Sequence, residues 1–125
     1  IFTMAIAALR SGELQSPDLE WWILHFLVTY CVAFASIQYA TRFNDEDTFH
    51  TLFWVGFLFG VFGQVVFLNH NLAGFAGSTA FLYLLLVAAN LRVAVCLPRA
   101  RVFCLTLAAG HFATSSIFVY LAINP

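Results

Sequence analysis

Few residues of this chain can do chemistry, and most of those lie inside apolar runs. Gln64, Asn90, Arg92 and His111 are polar side chains set within long hydrophobic segments, where ionisable groups mark ion or substrate paths by default. A histidine at mid-depth, neutral or charged, can relay protons or hold an anion near an arginine such as Arg92. The plainer alternative is that these groups hydrogen-bond across helices, at about 0.6 kcal/mol per contact. His111 and His25 also offer an imidazole nitrogen to haem iron or chlorophyll magnesium, but no second histidine follows at helical spacing on the same segment. His25, near the end of its run, reads more readily as a packing residue.

Catalysis needs more than the sequence offers. His111 and Ser115 stand one helical turn apart with no orienting acid, and there is no Gly-rich phosphate loop or His-Glu cluster, so an enzyme is not expected. Asp45, Glu46 and Asp47 could attract a hard cation, but no second set of ligands accompanies them, and no metal is expected. Cys31, Cys96 and Cys104 have neither metal-ligand spacing nor a disulfide framework and read as small residues of the membrane core.

Composition sets the solvent. The chain is 62% hydrophobic and 9% charged, against about 25% charged in soluble domains, and its mean hydropathy is +0.91. Fifteen Phe, three Trp, four Tyr and no lysine leave a surface that lipid solvates and water does not. A net charge of -1 provides no basic field for nucleic acid. The expected partners are membrane lipids and other membrane protein helices.

The elements that would position the polar groups follow from where charges interrupt the apolar runs. No charge occurs from Trp21 to Thr41 or from Thr51 to Leu68, and each run has roughly the 20 residues that cross a bilayer as a helix. Between them lies the turn Arg42, Asp45, Glu46, Asp47, which cannot sit in lipid. The spacing predicts spans near 21–41, 48–68, 79–97 and 102–123, preceded over 1–9 by the end of another. The fold class is all-α, a transmembrane helical bundle of four complete spans plus that end. The whole of 1–125 reads as a single integral membrane domain, a fragment of a longer chain, because it opens on Ile1 with an apolar run already under way.

Local signals refine each span. Ser16-Pro17-Asp18 is a helix start, with Ser16 as N-cap and Pro17 at the first helical position. Trp21 and Trp22 follow at interface depth. His25, Thr29, Ala33, Ser36 and Ala40 recur at helical spacing and mark a protein-packing side. Asn44 and the acids after it cap the next span. Gly56, Gly60 and Gly63 share a face with Gln64, which lets a neighbouring helix approach closely. The uncharged stretch 69–78, with Gly74 and Gly77, reads as a loop close to the membrane. Arg92 is near enough to Pro98 to snorkel towards water, and Pro98-Arg99-Ala100-Arg101 is a tight turn. Thr106, Gly110 and Thr114 form a small-residue stripe in the last span.

Arg42, Arg99 and Arg101 fall on one side, joined by Arg92, so the positive-inside rule places that side in the cytoplasm or its organelle equivalent. Neighbouring turns there predict that Arg99 or Arg101 pairs with Asp45 or Asp47, unless the arginines bind lipid phosphates instead.

The runs "WWILHFLVTYCVAFASIQYATRFNDEDTFHTLFWVGFL" and "FAGSTAFLYLLLVAANLRVAVCLPRAR" resemble the low temperature requirement A family of multi-span membrane proteins. The matching positions are Trp21, Trp22, Arg42, Phe43, Asp45, Asp47, His50, Tyr83 and Arg92, and the likeness covers most of the chain. Two features depart from the family pattern. Its acidic first-span motif would precede Ile1, and its members have more spans than these. The resemblance implies a polytopic integral membrane protein and brings no chemical activity. With about five helices and one buried arginine there is little machinery for selective conduction. The first expectation is therefore a non-catalytic subunit packing on partner helices, lipid or pigment within a larger membrane assembly. The alternative is a fragment of a transporter- or channel-like protein of the low temperature requirement A type.

Overall fold

The structure is a computed structural model that describes residues 16–42, 48–67 and 71–124, with side chains from Ile23 onward apart from Arg42. The expected end of a preceding span over 1–9, the side chains of Trp21 and Trp22, and the acidic turn Asp45, Glu46 and Asp47 lie outside the described residues, and with them the expected pairing of that turn with Arg99 or Arg101.

Four helices follow one another: α1 over Ser16–Arg42, α2 over Thr48–Val66, α3 over Leu72–Cys96 and α4 over Arg101–Ile123, with a 3-10 turn at Pro98–Ala100 between the last two. There is no strand among the described residues. Each helix contains a segment long and apolar enough to cross a membrane. The shortest, α2, has 19 residues and at 1.5 Å per residue is about 28 Å long, close to the roughly 30 Å of a hydrocarbon core.

The architecture is a bundle with α3 at its centre. Eleven of the 25 residues of α3 are buried, whereas α2 and α4 bury three each, so α3 is the element against which the other three pack. Its apolar core residues Leu82, Leu86 and Ala89 are fully enclosed, with Val32 and Tyr39 from α1, Phe53 from α2 and Cys104 from α4 around them. On α1 the enclosed face is His25, Thr29, Val32, Ser36 and Tyr39, which contains three of the small or polar positions expected to pack on protein. The remaining faces of α1, α2 and α4 present Leu, Phe, Ile and Val outward. Cys31 and Cys96 also lie at the surface of the bundle, and Cys104 is in its core.

The stretch read as a loop up to Ser78 is helical from Leu72. Asn71 caps the helix, its Oδ1 accepting the backbone N–H of Gly74 at 2.9 Å. Gly74 is there for proximity: a Cβ would lie 2.6 Å from Cγ of Phe67, whose ring folds over the start of α3. A Cβ on Gly77 would meet nothing within 4 Å among the described residues. Glycine is common in membrane helices, so it is a poor loop signal here. Gly74→Ala is therefore expected to cost about 1 kcal/mol, as Phe67 is displaced. Gly77→Ala should be neutral or stabilise by about 0.5 to 1 kcal/mol, because alanine loses less backbone freedom. Thermal unfolding of the two variants in detergent checks the contrast, and equal midpoints would refute it.

The turn from α3 to α4 is as tight as its sequence implies. Leu97 is extended, with φ -123° and ψ 91°, and Pro98 opens the 3-10 turn. Arg101 then folds back, its Nε donating to the carbonyl of Ala94 at 3.2 Å, where a cation meets the negative end of the α3 dipole.

Candidate functional site

The polar residues inside the bundle divide among three places. The first is a tie between helices. Gln64 on α2 is fully buried; its Nε2 donates to Thr79 Oγ1 on α3 at 2.8 Å, and its Oε1 accepts a long bond of 3.4 Å from Thr29 Oγ1 on α1. Thr79 passes its own hydroxyl proton to the carbonyl of Phe75 at 2.9 Å. The amide thus joins three helices, and its position follows from the glycines beside it. A Cβ on Gly60 would come within 2.5 Å of Leu82, and one on Gly63 within 2.5 Å of Ser78 Oγ, while one on Gly56 would sit 3.2 Å from Leu85. Only bare backbone lets α2 approach α3 closely enough for Gln64 to reach Thr79.

The second place is an aromatic cluster at the arginine end. Trp54 Nε1 donates to His50 Nε2 at 2.7 Å, one turn away on α2. Tyr39 of α1 stacks with His50 at 6.4 Å between centroids and packs against Phe53 at 5.1 Å. Arg92 belongs to this end: its guanidinium carbon lies 4.6 Å from the centroid of the Phe49 ring, a cation–π arrangement. Phe49 is in the first turn of α2, so Arg92 extends to the start of that helix. Arg99 and Arg101 are exposed there.

The third place is a cleft of about 280 Å³ between α1, α3 and α4, lined by Gln38, Tyr39, Asn90 and His111 and by the rings of Phe34 and Phe103. At 1.5 Å per residue, Asn90 lies about 9 Å from the end of α3 and His111 about 15 Å into α4, so the cleft occupies the arginine-side half of the bundle. Asn90 is 3% exposed and gives one amide hydrogen to the carbonyl of Leu86 at 2.8 Å. The His111 ring rests on Tyr83 of α3, 5.7 Å between centroids.

Of the four intramembrane candidates, the fold brings only Asn90 and His111 together. Gln64 is tied elsewhere and Arg92 turns to Phe49. Sequence reasoning missed Thr29 and Thr79 as partners of Gln64, because which threonine faces which glutamine depends on interhelical register. It also missed Gln38 and Tyr39, whose polarity near the end of α1 was the available signal. The small stripe on α4 is not the packed face: Cys104, Ala108 and Ser115 are buried instead. Ser115 decides this, donating to the carbonyl of Ala80 on α3 at 3.0 Å.

Neither histidine proposed for tetrapyrrole ligation has an evident place for one. The His25 ring is buried against Phe75 with centroids 4.1 Å apart, and the cleft beside His111 lies at the lower edge of the roughly 300–1,000 Å³ of small-molecule pockets. Among the described residues no three His, Cys, Asp or Glu side chains gather as a metal site. Compared with known protein families, curated proteins and solved structures, the chain matches none.

Proposed function

We propose that this chain is a non-catalytic, membrane-embedded unit whose helices pack on partner helices and lipid within a larger assembly, with the Arg42, Arg99 and Arg101 end on the cytoplasmic or organelle-equivalent side. The observation that carries it is the outer face of α4. Thr106, Ala109, Gly110, Ala113 and Ser116 are all exposed there, and a Cβ on Gly110 would meet nothing within 4 Å among the described residues. Small residues give lipid little to pack against but let a second helix approach closely. Thr106 and Ser116 each satisfy their hydroxyls on the carbonyl four residues back, at 2.9 Å, so neither requires a polar partner. The division of the intramembrane polar groups among three places also favours a packing role over a conduction path of the low temperature requirement A type.

Gly110→Leu tests this. In mild detergent or nanodiscs, the variant is expected to lose its association with partner helices while its own thermal midpoint stays unchanged, because nothing among the described residues occupies that space. Sedimentation of wild type and variant as particles of equal mass would refute the partner face.

A further inference from the structure

We propose that the cleft between α1, α3 and α4 binds a neutral, lipid-soluble ring carrying a carbonyl oxygen, the chemistry of a quinone headgroup. This goes beyond the packing role and does not depend on it. Size is the first constraint. An enclosed apolar cavity of about 150 Å³ takes up benzene, so a cleft of about 280 Å³ has room for a substituted single ring or a compact fused one.

The walls set the ring's character. Phe34 stands at the side of the cleft, 51% exposed, and offers a flat face against which a planar ring packs. Among the described residues no Arg, Asp or Glu lines it, so these walls would not replace the lost hydration of a charged headgroup. The neighbouring surface, Ile37 on α1 and Leu105 on α4 among it, is apolar and exposed, which makes the bilayer the source of the ligand.

The polar groups set its oxygen. Asn90 spends one amide hydrogen on Leu86 and has a second to give. Its side chain is 97% enclosed, as its 3% exposure implies, yet it borders the cleft, and no other partner for it exists among the described residues. That second hydrogen is available to a guest in the cleft. His111 lines the same space with ring nitrogens that make no hydrogen bond to the described protein. One nitrogen of a neutral imidazole donates, so the cleft has two donors on helices α3 and α4 for a carbonyl placed between them.

The test uses the full chain in mild detergent, with a short-chain benzoquinone as probe and equilibrium dialysis read by quinone absorbance. Saturable binding is expected in the wild type, and roughly tenfold weaker binding for tetramethylbenzene, which has the ring and no oxygens. His111→Phe and Asn90→Leu should each weaken the quinone by about tenfold. Ala35 on α1 also lines the cleft, and Ala35→Phe, which fills the space and removes no donor, should abolish binding. Equal affinity for the quinone and tetramethylbenzene would show an unselective apolar void and overturn the proposal, and that comparison needs no variant to fold. Undiminished binding by Ala35→Phe would place the ligand elsewhere and overturn it as well.

Discussion

Gly60→Leu is expected to separate α2 from α3. Even the first carbon of a side chain at this position would stand 2.5 Å from Leu82 Cδ2 and 2.6 Å from its Cγ. Leu82 cannot yield, because it is 0% exposed at the centre of the core. Overpacking of this kind costs about 1–3 kcal/mol for small additions, and Gly60→Ala should fall at the upper end of that range. Leucine adds three more carbons in the same direction, so the expected outcome is loss of the packed interface. The three glycines should not behave alike. The neighbour of Gly63 is the hydroxyl of Ser78, which can rotate, and that of Gly56 is a methyl of Leu85 at 3.2 Å, which can give way. Unfolding by titration with a denaturing detergent should therefore rank alanine at Gly60 as most harmful, then Gly63, then Gly56. A Gly60→Leu protein as resistant as wild type would mean that α2 and α3 are not packed in this way.

Gln64 gives the second large effect, in two separable parts. Gln64→Leu keeps the volume and removes the bonds to Thr79 and Thr29. At about 0.6 kcal/mol each inside a membrane, the loss is about 1 kcal/mol. Gln64→Ala removes the volume too, at a site that is 0% exposed, and should cost about 2–5 kcal/mol, the range for emptying a space of this size. A leucine variant that lost as much stability as the alanine variant would mean that the hydrogen bonds, and not the packing, dominate at this site. Thr79→Val should lose little in addition to Gln64→Leu, since the two share one bond.

The helices were legible in the sequence because the bilayer makes a simple demand: about 20 residues without charge, and charges between. That demand located α1, α2 and α4 closely, including the turn at Pro98. It failed at the start of α3, where Asn71 and two glycines imitate a loop signal. In water such glycines weaken a helix. Here one of them makes room for Phe67 and the other tolerates an open face. The buried face of α1 was also legible, since Thr29 and Ser36 are small and polar in a run of large apolar residues. The face of α4 was not, because small residues occur on both of its sides, and only the bond from Ser115 to Ala80 distinguishes them. The cleft could not be read at all. Its walls come from three helices, and no spacing within one helix encodes how the others are rotated.

The central place of α3 has a consequence for biosynthesis. The chain leaves the ribosome from its N-terminus, so α1 and α2 enter the membrane before the helix on which both of them pack. Until α3 arrives, Gln64 lacks Thr79, and its nearest described alternative is the long contact with Thr29. An amide within an apolar span is poorly accommodated by lipid, so the early hairpin lacks the partner that satisfies Gln64 in the finished bundle. The arrival of α3 ends that interval in one step, because the same helix carries the hydroxyl that completes Gln64 and the surface that receives Gly60. The tie at Gln64 is thus complete only once the third described helix is present, and α4 packs on that helix afterwards.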